Sequence, residues 1–131
     1  MEMGADDNCA DAAIQTAKAI FAAFVAKDRN AAENLIADKF SFTSPLDNGL
    51  DRKAYFSICW PNSENMKSVK FCQIYRDKDR VFVTYEADSS NGRRFRNTEI
   101  LTVNEGKISA VEVYFGWNVP HEVPRGEHRD P

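Results

Sequence analysis

Residues 93–117, Arg-Arg-Phe-Arg-Asn-Thr-Glu-Ile-Leu-Thr-Val-Asn-Glu-Gly-Lys-Ile-Ser-Ala-Val-Glu-Val-Tyr-Phe-Gly-Trp, constrain the fold more than any other stretch. They read as two alternating strands, 93–103 and 107–117, about a tight Asn104-Glu105-Gly106-Lys107 turn. Residues i and i+2 of a strand point to the same side, so Phe95, Asn97, Glu99, Leu101 and Val103 share one face. An amide and a carboxylate are thereby set among apolar neighbours. A carboxylate in such a place must be solvated, paired with a cation or kept protonated. Glu99 is therefore the leading functional candidate, and Asn97 its companion.

Upstream of these strands the pattern is helical first and extended afterwards. Residues 9–27 read as an amphipathic helix, with Ala13, Ala17, Ile20, Phe21 and Phe24 at three- and four-residue spacing. Asp6, Asp7 and Asn8 are its candidate caps. Asp28 is placed to cap a second helix, 29–37. Phe40 to Ser44 alternates as a strand stopped by Pro45, with a turn expected at Asn48-Gly49. Asp51 is placed to cap a third helix, 52–60, closed by Pro61. Strands 67–76 and 80–88 follow, and Asn91-Gly92 is a hairpin signal because both residues accept positive φ. Helices segregated from a run of strands argue for an α+β fold with an antiparallel sheet wrapped around one helix. The whole chain, 1–131, reads as one domain, with a core over about 9–118 and a tail over 119–131.

Composition excludes several classes. Residues 1–64 carry 6 Lys/Arg against 10 Asp/Glu, and residues 65–131 carry 11 against 10, for a net charge of −3. Neither half is basic enough to make nucleic acid the partner. Cys9, Cys59 and Cys72 are an odd set without Cys-x-x-Cys spacing, which fits reduced thiols rather than a disulfide framework or a zinc site. His121 and His128 join no acid or cysteine at ligand spacing, so neither metal nor cofactor is expected. Asp11, Gln15 and Lys18 interrupt the Ala-rich stretch, so neither a signal peptide nor a membrane span is expected, and the cytoplasm is the expected location.

The element order, together with Ile36-Ala37-Asp38 leading into a strand, Asn104-Glu105-Gly106-Lys107-Ile108 and Val113-Tyr114-Phe115-Gly116-Trp117, resembles the nuclear transport factor 2-like (SnoaL-like) superfamily over about residues 9–118. That resemblance implies a conical α+β domain with a small-molecule pocket between helix and sheet, and commonly a homodimer formed through the sheet. The superfamily includes ketosteroid isomerases, polyketide cyclases, dehydratases and epoxide hydrolases, as well as subunits without chemistry, so fold alone does not assign activity. The isomerase-type base position, just before the Pro that ends the first strand, falls on Ser44. The isomerase tyrosine of the first helix falls near Ile20 or Phe21. The buried acid of the penultimate strand has its counterpart in Glu99. One part of three is present.

The expectation is thus a pocket for a small organic ligand, with Glu99 and Asn97 at its polar end. Phe115 and Trp117 are expected as a wall, joined by Phe95, Tyr85, Tyr55 and Ser44, with His121 as a lid. The chemistry such residues allow is cofactor-independent acid/base work: isomerisation, dehydration, cyclisation or hydrolysis. A non-catalytic ligand-binding or dimerisation module is the alternative. Arg80, Arg94 and Arg96 are possible ion-pair partners that would make Glu99 structural. Asp47 reads as a turn residue and Trp60 as packing. Apolar residues on both faces of strand 67–76 (Cys72 and Ile74 against Val69, Phe71 and Tyr75), and of 93–103 (Ile100 against Leu101), leave an outer sheet face to be covered.

Overall fold

A computed structural model describes residues 11–126. The first helix, α1, runs Ala12–Ala26, and its N-cap is Asp11, whose carboxylate accepts from Ala13 N and Ile14 N. The caps expected at Asp6, Asp7 and Asn8 lie outside the described residues, as do Cys9 and His128. Lys27 ends α1 in the left-handed conformation, φ 59°. Asp28 caps α2, Arg29–Leu35, as its position before the apolar pattern predicts. Strand β1 then covers Ile36–Ser44, longer than 40–44, and β2 covers Asp47–Leu50. The turn lies at Pro45-Leu46, not at Asn48-Gly49, because Ser44 pairs directly with Asp47.

Asp51 caps a composite third helix, α3, which is α-helical over Arg52–Ala54, π-helical over Tyr55–Cys59 and 3₁₀ over Trp60–Asn65. Pro61 does not close this helix. It stands in the first turn of the 3₁₀ segment, where a missing N–H costs nothing. Four long strands follow: β3, Met66–Asp77; β4, Arg80–Ser89; β5, Arg94–Asn104; and β6, Lys107–Asn118. The sheet order is β2-β1-β6-β5-β4-β3. The expected α+β cone forms, but the sheet is mixed: β1 runs parallel to β6, and the other pairs are antiparallel.

The concave face carries the core. Val81, Val83, Tyr85 and Ala87 of β4, Leu101 and Val103 of β5, and Ile108, Val111 and Val113 of β6 are buried against Ile14, Ala17, Ile20 and Phe21 of α1. Phe21 meets Phe71 and Tyr85 edge-on, at 5.4 and 4.9 Å between centroids. Bulges bend the strands around the helix. One of them, at Cys72, corrects the expected faces of β3. Beyond it the alternation shifts by one, so Val69, Phe71 and Ile74 all face inward and Tyr75 faces outward against Phe82. The convex face therefore presents Tyr75, Phe82, Ile100 and Tyr114 among charged residues. Among the described residues no helix is long and apolar enough to cross a membrane.

Candidate functional site

Between α1, α3 and the concave sheet lies an apolar cavity of about 330 Å³, within the size range of small-ligand sites. Its polar groups gather at two places. The first is on β5, where alternation turns Asn97 and Glu99 inward together. Tyr85 of β4 stands opposite Asn97 in the ladder, one diagonal step from Glu99. The Tyr85 hydroxyl donates to Glu99 Oε2 at 2.7 Å, and Asn97 Nδ2 donates to the Tyr85 oxygen at 3.3 Å. Asn97 Oδ1 in turn accepts from Gly116 N at 3.1 Å.

This chain of bonds has a direction. The backbone N–H of Gly116 can only donate, so the oxygen of the Asn97 amide faces it and the NH₂ faces Tyr85. The phenol oxygen, accepting from the Asn97 NH₂, donates its own O–H to Glu99. Gly116 is required here by close approach: a Cβ on it would stand 2.1 Å from the Arg96 carbonyl oxygen. Glu99 Oε1 has no hydrogen-bond partner among the described residues. Nor is it sealed away, since the only buried side-chain polar atom without a partner among them is Arg52 Nε. What accessible surface the carboxyl keeps opens onto the cavity it lines.

Among the described residues no cation answers Glu99. Arg80 lies 3.9 Å from Glu112, Arg94 2.7 Å from Asp88 and Arg96 2.8 Å from Glu86, all on the convex side. Burial pushes the Glu99 carboxyl up from 4.5 to about 7, and the hydrogen bond from Tyr85 holds back part of that rise. Burial, with the neighbouring Glu99 second, also raises the phenols of Tyr85 and Tyr55, so both are neutral donors.

Of the second polar group, only Ser44 was expected from the sequence. Ser44 Oγ donates to Asp47 Oδ2 at 3.0 Å and accepts from Leu46 N, while Cys59 Sγ approaches the same carboxylate oxygen at 3.7 Å. Ser44, Asp47 and Cys59 all line the cavity. Burial, then the adjacent Asp47, pushes the Cys59 thiol up to about 12. Asp47 was expected as a turn residue; the two-residue turn at Pro45-Leu46 instead returns it beside Ser44 on the cavity side. The tight Ser-Pro-Leu-Asp spacing was the available signal. Cys59 reaches the cavity because the π-helical turn places it, with Tyr55, toward the sheet.

Of the other expected residues, Phe95, Tyr55 and Phe115 also line the cavity. Trp117 does not. An extra residue in β6, opposite the step from Phe95 to Asn97, breaks its alternation with Phe115 and turns the strand end outward. Trp117 is half-exposed and stacks on His121, centroids 4.5 Å apart, so His121 covers that indole rather than the cone. Trp60 packs edge-on against Phe24 at 5.3 Å. Tyr114 faces the convex side and donates to Glu112. Among the described residues no group of three or more His, Cys, Asp or Glu is placed to hold a metal ion.

No family model matches this chain, and no curated protein matches its sequence. Solved structures do. A nuclear transport factor 2-like protein of unknown function from Burkholderia xenovorans superposes with a TM-score of 0.72 at 20% identity, over 87% of this chain and 88% of that one. The chain has the nuclear transport factor 2-like fold. An M. tuberculosis LEH-like epoxide hydrolase gives a TM-score of 0.66 at 18% identity, covering 80% of this chain and 83% of that one. A de novo designed protein with a curved β-sheet gives 0.71 at 10% identity, over 80% and 85%. That a designed backbone matches so well shows that the nuclear transport factor 2-like fold is a packing solution. Activity has to be argued from the side chains inside it.

Proposed function

We propose that this protein binds a small, largely apolar organic molecule in its cone and moves a proton on it without a cofactor, with Glu99 as the transferring group. The observation that carries this reading is a carboxyl lining an apolar cavity, held at one oxygen by Tyr85, open at the other, and faced by no cation among the described residues. An acid whose midpoint lies near neutrality is divided between both protonation states there, which suits a group that must accept and return a proton. As the carboxylate, Glu99 would take a proton from carbon or oxygen of the ligand at Oε1 and, as the acid so formed, return it to another ligand atom, while Tyr85, fixed by Asn97, steadies the ionised form through its hydrogen bond to Oε2. Asp47, hydrogen-bonded to Ser44, supplies a second carboxyl at the other polar end of the cavity. This fits isomerisation, dehydration, cyclisation or hydrolysis. The serine at the isomerase-type base position, whose hydroxyl is already engaged with Asp47, argues against steroid isomerisation by that route.

A panel of steroids, aromatic polyketides, terpenoids and small acids tests binding by thermal shift, since a ligand that selects the folded form stabilises it by RT ln(1 + [L]/Kd). Compounds that shift the melting point are then incubated in D₂O. Deuterium incorporation that Glu99→Gln abolishes supports proton transfer. Binding with no exchange and no dependence on Glu99 supports the non-catalytic module instead. The dimer expected from the sequence would use the convex face, where Tyr75, Phe82, Ile100 and Tyr114 lie among paired charges. Sedimentation equilibrium tests it, with Tyr75→Arg expected to yield a monomer.

A further inference from the structure

Three arginines crowd the start of β5, and the hairpin sends them to two different places. Arg94 and Arg96 point to the convex side and are paired with Asp88 and Glu86. Arg93, in the turn just before β5, instead lines a groove together with Phe95 and Asn97. Among the described residues it makes no ion pair. Its backbone is fixed by the turn: Arg93 N donates to Asn91 Oδ1 at 3.1 Å, and its carbonyl accepts from Ser89 N at 2.7 Å.

Arg93 lines an open groove of about 470 Å³ together with Asn91, Asn118 and Trp117. The groove adjoins the cone, since Ser89, Phe95, Asn97 and Phe115 line both. Phe115 and Trp117, 53% and 52% exposed, give the groove an aromatic side. Exposed aromatic surface running out of an apolar cavity toward an unpaired guanidinium is a surface built to receive something. From the groove into the cone the order is therefore Arg93, just before β5, then Phe95, Asn97 and Glu99 of its inward row. Six residues of extended chain span about 20 Å. The two ends differ in charge. Among the described residues Glu99 has no cation beside it and would repel an anion, whereas the planar fork of Arg93 matches a carboxylate.

We propose that the groove is the outer half of the ligand site, and that the ligand is an elongated amphipathic acid: a hydroxyl or carbonyl at Glu99, an apolar body through the cone, and a carboxylate at Arg93. This deepens, and rests on, the reading of the cone as a ligand pocket.

The test uses the fluorescent neutral probe N-phenyl-1-naphthylamine, displaced from the protein by a matched pair, 12-hydroxydodecanoate and 1,12-dodecanediol. The hydroxy acid is expected to compete roughly three- to ten-fold better than the diol, with a preference that shrinks as salt rises. Arg93→Gln is expected to remove the preference and leave the diol unchanged; Arg93 is exposed at a hairpin, so the substitution disturbs no core. Equal competition by the two compounds, or a preference that survives Arg93→Gln, overturns the outer site while the cone stands. If the probe fails to bind, or neither compound displaces it, the cone reading itself falls and this inference falls with it.

Discussion

Replacing Glu99 by Gln keeps the shape of the side chain and its ability to accept from Tyr85, and removes only the ionisation. The consequence is a change in how stability depends on pH. The folded carboxyl titrates at about 7 against 4.5 for the ordinary group. Between those two values the folded chain holds a proton that the unfolded chain has lost. Raising the pH through that window therefore favours unfolding. The contribution is intact below 4.5 and is lost as pH passes through about 7. At 1.36 kcal/mol per pH unit, the separation corresponds to about 3 kcal/mol. The Glu99→Gln variant cannot titrate at this site, so its stability relative to the wild type is expected to improve by about 3 kcal/mol between about pH 4 and about pH 8. For a domain of this length that is a relative change in Tm of about 10 °C. The other carboxylates titrate alike in both proteins and cancel in the difference. Paired urea titrations or melting curves across the range measure it. Parallel curves, with a difference that does not move with pH, would refute the argument that burial without a cation governs this carboxyl.

Three further outcomes follow from the same geometry. Tyr85→Phe removes the bond that favours the ionised carboxyl, so the Glu99 midpoint, followed by ¹³C NMR, is expected to rise above about 7, at a stability cost of about 1 kcal/mol; an unmoved midpoint would count against the bond. Gly116→Ala places a methyl 2.1 Å from the Arg96 carbonyl oxygen, and is expected to cost about 2–4 kcal/mol in urea unfolding because backbone must move. A loss below about 0.5 kcal/mol would show that the bulge yields freely. Cys59, held at about 12 from an ordinary 9.0, is expected to be alkylated about a thousand-fold more slowly in the folded than in the unfolded protein, as read by peptide mass mapping; equal rates would contradict its burial against Asp47.

The fold was largely legible because its signals are local. Asp28 and Asp51 announce helix starts by side-chain capping, Asn91-Gly92 and Gly106 announce hairpins by backbone conformation, and alternation in residues 93–103 assigns Asn97 and Glu99 to the apolar face. Each of these needs only a few neighbouring residues. Alternation failed where a bulge intervened. Cys72 shifts the faces of β3, and the extra residue near Gly116 carries Trp117 out of the cone. Bulges are set by the strand across the way, and no single strand encodes them.

By itself, then, the sequence determined a helical N-terminal part packed against a curved sheet, and an acid facing that sheet's apolar side, since period and capping are properties of the chain alone. Only the tertiary structure decided what answers that acid. It gave Glu99 the Tyr85 hydroxyl and sent Arg80, Arg94 and Arg96 to acids on the other face. It also returned Asp47 to the cavity and left Arg93 in the groove. Partners at such sequence separations are chosen by which strands become neighbours, and the register of the curved sheet fixes that only once the whole domain has packed.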